Sequence, residues 1–228
     1  MPDSRMMTLQ PIDGVIFDMD GLLLDSESLA MDALIHAGTT LGYDVSHSFC
    51  RRMVGVAADG CRALMLETYG DSFPLHDFFA AQEVHLRDLV DAGRLVLKEG
   101  VAPLLDYLDA QGIPRAIATS SSRARADHHL ALTNLHWRFD AIVTRDDVTR
   151  GKPDPEPYLT AARRIGVPAA RCLALEDSHS GARAAHAARI RVIVVPDLLE
   201  PDDDIRRKAL AIMDDLHMVL DFIRQARS

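Results

Sequence analysis

Apolar positions along the chain follow two rhythms. Five short runs are almost continuously hydrophobic: GVIFD (14–18), RAIATS (115–120), DAIVT (140–144), CLALED (172–177) and RVIVVP (191–196). Runs of this length without polar alternation predict strands buried on both faces, as in a parallel sheet. Between them the spacing changes to three and four. VAPLLDYLDAQG (101–112) sets Leu104, Leu105 and Leu108 on one face and stops at Gly112. EPYLTAARRIG (156–166) carries Pro157 near its start, where a missing N–H costs nothing, and Gly166 at its end. SGARAAHAARI (180–190) is rich in alanine and suits a helix lying close on a sheet. Strands alternating with helices predict an α/β fold, with a Rossmann-like parallel sheet, right-handed crossovers and helices on both faces.

One connection breaks the rhythm. About 95 residues separate the first strand from the second, and a structureless loop of that length is implausible. The segment reads as helical over 28–42, 59–70 and 77–93. The expected organisation is a core of residues 1–25 and 99–228 with an α-helical domain of residues 26–98 inserted into it. Gly93 and the KEG at 98–100 mark the return to the sheet.

Composition narrows the class. A chain of 228 residues with 48% hydrophobic content supports a full core, and 5% aromatics predicts a mostly aliphatic one. A net charge of −9 argues against a general nucleic-acid binder. It leaves an anionic substrate open, because a local cation can reverse the field at a site. Cys50, Cys61 and Cys172 are dispersed and odd in number, which suggests neither a disulfide framework nor a zinc cluster. MPDSRMMTLQ at the start has no apolar stretch of signal-peptide length, and no run approaches the roughly 20 apolar residues of a membrane span. The expectation is a soluble, cytoplasmic protein without membrane or nucleic-acid partners, its oligomeric state open and a monomer the simplest case. Among single residues, Trp137 is expected to pack near the third strand. His128 and His129 are expected at the surface, and Arg51, Arg52, Arg62 and Arg87 in solvent. Met6, Met7 and Met31 read as packing or tail residues.

In open α/β sheets ligands bind beyond the carboxyl ends of the strands. The residues just past each run are therefore the candidate chemistry. The first run gives Asp18 and Asp20. The second gives Thr119, Ser120, Ser121 and Ser122. The third leads through Arg145, Asp146 and Asp147 to GKPDP with Lys152, and the fourth gives Glu176, Asp177 and Ser178. Four carboxylates gathered at one edge would repel one another. A divalent metal relieves that repulsion, and an all-oxygen set without His or Cys favours Mg²⁺. Mg²⁺, Lys152, the Ser120 hydroxyl and the N–H groups after Asp18 could together surround a phosphoryl group. One carboxylate can attack it and another can move protons. Each residue also has a plainer reading: Asp18 and Asp20 as a cap and a turn acid before Gly21, Ser120 as turn material, Lys152 as a loop lysine, and Glu176 with Asp177 as helix caps.

With these residues in hand, the chain resembles the haloacid dehalogenase superfamily of phosphohydrolases. The resemblance rests on four motifs in order over nearly the whole chain: DMDG, IATSS, GKPDP and LALEDS. It implies Asp18 as nucleophile, Asp20 as acid and base, and Ser120 and Lys152 as phosphate ligands. The Mg²⁺ set it implies is the Asp18 carboxylate, the Asp20 backbone carbonyl, Asp177 and, less directly, Glu176. The insertion resembles the small helical cap of the β-phosphoglucomutase-like branch, which closes over substrate and sets specificity. Departures narrow the activity. True dehalogenases lack the second acid, whereas this chain has Asp20. Mutases of the branch carry a cap histidine ten residues after that acid, and here the position is Ala30. Their cap arginine is replaced by Ala58 in VGVAADG. The expected function is Mg²⁺-dependent hydrolysis of a small phosphorylated metabolite, a sugar or related phosphomonoester, through an aspartyl-phosphate. A phosphosugar mutase, a receiver-like phospho-acceptor module and a non-catalytic phosphate binder remain as alternatives. Asp25 and Glu27 read as structural or hinge residues outside the site. Arg189 stands where the family often ends a helix with glycine, so a positive φ is expected there at about 1 kcal/mol of strain.

Overall fold

In the computed structural model, which describes residues 11–54, 56 and 58–227, the apolar runs are strands. They are β1 (Gly14–Phe17), β2 (Arg115–Ala118), β3 (Ala141–Val143), β4 (Cys172–Glu176) and β5 (Arg191–Val194). A sixth strand, β6 (Ala211–Ile212), extends the sheet at its edge. Two residues carry no periodicity, which is why the sequence pattern does not announce it. The order is β3-β2-β1-β4-β5-β6 and every pairing is parallel. The winding reverses between β1 and β4, so the carboxyl ends of those two strands flank the crevice where such sheets bind ligands.

Residue parity in the strands assigns the two faces. Val15, Phe17, Ile117, Leu173, Leu175 and Ile193 face α5 (Val101–Ala110) and α10 (Leu216–Arg227), whose Leu104, Leu105, Leu108, Val219 and Leu220 are buried. Burying one such side chain is worth about 1.5–3 kcal/mol. Ile16, Ala116, Ala118, Ala174, Val192 and Val194 face α7 (Glu156–Arg164) and α8 (His179–Ala187). There Ala161, Ala162, Ala182, Ala184 and Ala185 allow the close packing that the alanine-rich pattern predicts. α6 (Arg123–Leu132) lies between β2 and β3, and α9 (Asp203–Lys208) between β5 and β6.

The long connection contains α1 (Ser26–Thr40), α2 (His47–Met53), α3 (Ala58–Tyr69) and α4 (Leu75–Asp91). α2 is too short to show a period. Its start is fixed by Ser46, whose Oγ accepts from the Phe49 N–H at 3.2 Å. These helices have a core of their own, with Phe49, Phe73 and Phe78 packed beside Tyr43, Tyr69 and Phe79. Rings meet edge to face at 4.6 Å for Tyr43 with Phe73 and 5.2 Å for Phe73 with Phe78. The aliphatic expectation therefore holds for the sheet and fails for the insertion. Chain entry and exit are paired: Asp25 N–H donates to Val96 O and Lys98 N–H to Leu23 O, both at 3.0 Å. Lys98 Nζ also donates to Asp197 Oδ1 at 2.8 Å, tying the exit to the end of β5.

Three single-residue expectations have different outcomes. Trp137 is 74% exposed, not packed on β3. It sits in the single turn His136–Arg138, with the Arg138 guanidinium 5.4 Å from its ring. His128 is exposed, but His129 is buried with Ala126 and Leu130, because neighbours on a helix are about 100° apart and only one can face outward here. Arg189 has φ 59°, as expected, and closes α8 through its N–H to His186 O and the Ile190 N–H to Ala185 O. Arg51, Arg52, Arg62 and Arg87 are exposed, and Met31 packs in the insertion core. Met6, Met7 and the Ala58 side chain lie outside the described residues.

Candidate active site

β1 stops at Phe17, but the Asp18 N–H still donates to Leu175 O of β4 at 3.0 Å. That bond carries Asp18 past the sheet edge while keeping it beside the end of β4. The loop after β3 delivers Lys152, whose Nζ donates to Asp18 Oδ1 and to Glu176 Oε1, both at 2.5 Å. Glu176 is fully buried, and every other bond it makes holds it still. Its Oε1 accepts from the Tyr158 hydroxyl at 2.6 Å, and its Oε2 from the Ser178 hydroxyl at 2.9 Å and N–H at 3.2 Å. Gly181 is required by this arrangement, since any Cβ there would run into the Glu176 carboxylate.

Asp177 follows immediately. Its Oδ1 is buried and has no hydrogen-bond partner among the described residues. One oxygen each from Asp18, Glu176 and Asp177 lie within 4.8 Å of one another. Gly21, at φ 81°, keeps the other side of Asp177 open, because a Cβ there would strike its carboxylate. Burial, with Glu176 and Asp20 adding to it against the pull of Lys152, pushes the Asp18 carboxyl up to about 8. Burial and then the Asp18 and Glu176 charges drive Asp177 well above the carboxylate range. For Lys152 burial pulls downward, yet the two carboxylates outweigh it and hold the ammonium above its ordinary value. Three carboxylates thus face one ammonium. An orphaned buried oxygen, an excess of negative charge and an all-oxygen donor set fit a hard divalent cation such as Mg²⁺.

Asp20 has different surroundings. Its Oδ1 accepts from Ser26 Oγ at 2.9 Å and its Oδ2 from Ser121 Oγ at 2.7 Å. Ser26 opens α1 of the insertion, and Ser121 belongs to the loop after β2, whose turn is held by Ser121 N–H to Thr119 Oγ1 at 3.0 Å. Ser120 beside it is exposed. Asp18, Asp20, Ser120, Lys152 and Asp177 all line one cavity of about 320 Å³. The buried Glu176 stands behind them.

Several residues of this cavity are not evident from the strand-end pattern. Glu27 lines it, so only Asp25 keeps the purely hinge position expected of both. Tyr158 supports Glu176 from the sheet-facing side of α7, and the only hint in sequence is a tyrosine at a core position, where its hydroxyl needs a partner. Ser26, Ser121 and Arg125 sit in polar stretches where neighbouring serines and arginines look alike. His179 points elsewhere, with Nε2 3.0 Å from Glu200 O.

Comparison with known proteins places the chain in a family. The family model for haloacid dehalogenase-like hydrolases matches residues 12–189. The chain belongs to this family. Hexitol phosphatase B of Escherichia coli is 35% identical over 196 residues, covering 84% of this chain and 86% of the relative. The phosphorylated carbohydrates phosphatase of Thermotoga maritima is 33% identical over 183 residues, covering 80% and 84%. A haloacid dehalogenase family hydrolase of Deinococcus radiodurans, solved with bound phosphate and sodium, superimposes with a TM-score of 0.82 at 28% identity, covering 95% and 97%. The matched span of this haloacid dehalogenase-like hydrolase takes in all four strand-end motifs and the helical insertion. Among its described residues no helix is long and apolar enough to cross a membrane.

Proposed function

We propose that this hydrolase is a Mg²⁺-dependent phosphatase of small phosphorylated carbohydrates and that it works through an aspartyl-phosphate on Asp18. The observation that carries this reading is the separation of two acids only two residues apart. Asp18 is buried against the Lys152 ammonium, and Asp20 is held by two hydroxyls at the cavity wall. Neighbouring carboxylates in unlike environments suit unlike tasks.

When bound, Mg²⁺ would be held by Asp18, Asp177 and the Asp20 backbone carbonyl, and it would supply positive charge to the phosphoryl oxygens. Glu176 is occupied by Lys152, Tyr158 and Ser178, which suits orienting the lysine better than meeting the metal. Lys152 holds one oxygen of Asp18, so the other is free to attack phosphorus. As that P–O bond forms, the bond to the leaving oxygen breaks, and Asp20 gives that oxygen its proton. Ser120 and the N–H groups after Asp18 donate to the phosphoryl oxygens. Asp20 then takes a proton from water, whose oxygen attacks phosphorus and releases Asp18. Residues 26–98 act as a cap that excludes water from the first step. Ala30, in the cavity wall, gives a mutase nothing with which to hold a second substrate orientation.

Phosphate release from a panel of sugar, polyol and nucleotide monophosphates with Mg²⁺ tests the reading. Sugar and polyol phosphates should be turned over, and chelation of the metal should abolish release. Asp18→Asn should lower turnover at least a thousandfold; retained activity would remove Asp18 as nucleophile.

A further inference from the structure

Arg125 stands in the wall of the reaction cavity, in the first turn of α6. Its backbone N–H is capped by Ser122 Oγ at 3.4 Å. Among the described residues its guanidinium meets no hydrogen-bond or ion-pair partner. Arg123, two residues earlier, is fully engaged, donating to Ile142 O at 2.8 Å and to Asp147 Oδ2 at 2.6 Å. A half-buried guanidinium has lost part of its water and presents five N–H donors in a fixed fork. Such a group beside a reaction centre is poised for a ligand. Glu27 lines the same cavity, and its carboxylate likewise meets no hydrogen-bond partner among the described residues and feels the Arg125 charge.

We propose that Arg125 is a specificity-determining residue that reads the leaving group, and that it reads the hydroxyl oxygens of an uncharged polyol chain, not a second phosphate. The proposal rests on the phosphatase reading and names its substrate class: phosphomonoesters of sugars and sugar alcohols carrying a single phosphate. Charge decides between the two ligands. Among the described residues lining this cavity the cations are Lys152 and Arg125, and Lys152 is committed to Asp18 and Glu176. A second phosphate on Arg125 would also face Glu27 in a cavity already lined by Asp18, Asp20 and Asp177. Hydroxyls along a polyol chain can satisfy both groups, giving O–H donors to Glu27 and oxygen acceptors to Arg125. Arg125 also lines a neighbouring cavity of about 370 Å³ between α4 and α6, whose wall includes Leu86, Val90 and His128 together with the charged Glu83, Arg87 and Asp91.

The test compares kcat/KM of the full chain with Mg²⁺ on sorbitol phosphate, para-nitrophenyl phosphate and a hexose bisphosphate. Arg125→Ala should lower the ratio of sorbitol phosphate to para-nitrophenyl phosphate activity about tenfold, mainly through KM. Arg125→Gln, which keeps N–H donors without charge, should recover most of that ratio. Glu27→Gln should raise use of the bisphosphate relative to sorbitol phosphate. Equal losses on all three substrates in Arg125→Ala would mean a structural role and overturn the proposal. So would a wild-type preference for the bisphosphate that disappears in both Arg125→Ala and Arg125→Gln. If wild type released no phosphate at all, the phosphatase reading would fail. Arg125 would still be decided by calorimetric binding of sorbitol phosphate to Asp18→Asn with and without Arg125→Ala, where equal affinities reject its role.

Discussion

Two regions of this molecule are packed in opposite ways. Under the sheet, α7 and α8 press alanines onto the strands, and the small side chains bring backbone close to backbone. Residues 26–98 are instead held by interlocking rings of Phe49, Phe73, Phe78 and their tyrosine neighbours. The first kind of packing leaves no slack at the strand ends. Asp18, Lys152, Glu176, Tyr158 and Ser178 are linked in one hydrogen-bond network centred on Glu176, and a Cβ at Gly181 would strike the Glu176 carboxylate. The second kind makes the insertion a body with its own core. It touches the sheet's core through few residues, Leu29, Ala33, Leu86 and Val90 among them, and joins it by a paired entry and exit. For the proposed cap, a firmly held set of polar groups beneath a body with its own core is the arrangement that gating requires.

The sharpest way to break this comparison is to hollow out the ring-packed core. Phe78→Ala removes a fully buried ring and should cost about 3–4 kcal/mol. Chemical denaturation should then show an early transition confined to the insertion. A single transition shifted as a whole would mean that the two cores unfold as one. Gly181→Ala tests the other side. It should cost about 2 kcal/mol by overpacking and should lower phosphate release out of proportion to that loss, because the Glu176 carboxylate must move. Tyr158→Phe removes one donor from a buried carboxylate and should cost about 1 kcal/mol, with a several-fold lower kcat. Arg189→Gly should raise stability by about 1 kcal/mol with activity intact, by relieving a non-glycine residue at φ 59°. Trp137→Ala, at an exposed ring, should change stability by less than about 0.5 kcal/mol.

The strands and most helices are legible because their signals are local. Val15 to Phe17 or Leu173 to Leu175 announce a buried strand without reference to any partner. The elements not anticipated are β6, α2 and α9, too short for a period, and α10, although its Leu216, Val219, Leu220 and Ile223 keep the helical spacing; the missed burial is that of His129, which its exposed neighbour His128 masks. Within the site, Asp18, Asp20, Ser120 and Asp177 are legible because each stands just past a strand, Glu176 because it ends β4 and Lys152 because its loop follows β3, and parallel strands put all such positions at one edge. Tyr158, Ser26 and Arg125 are not, since nothing near them in sequence marks the group they face.

By itself the sequence determined that acids, a hydroxyl and an ammonium would meet at one sheet edge, and in what order. Strand periodicity and the residues that end a strand act over a handful of positions, so one chain suffices to read them. Only the tertiary structure decided how those groups divide the work. It set Glu176 behind Lys152, separated Asp20 from the buried carboxylates through Ser26 and Ser121, and brought Glu27 and Arg125 into the lining of one cavity. Ser121 is 101 residues from Asp20 in sequence, and Lys152 is 24 from Glu176. Their meeting depends on how helices crossing between strands come to rest on the sheet, a packing outcome that no local pattern encodes.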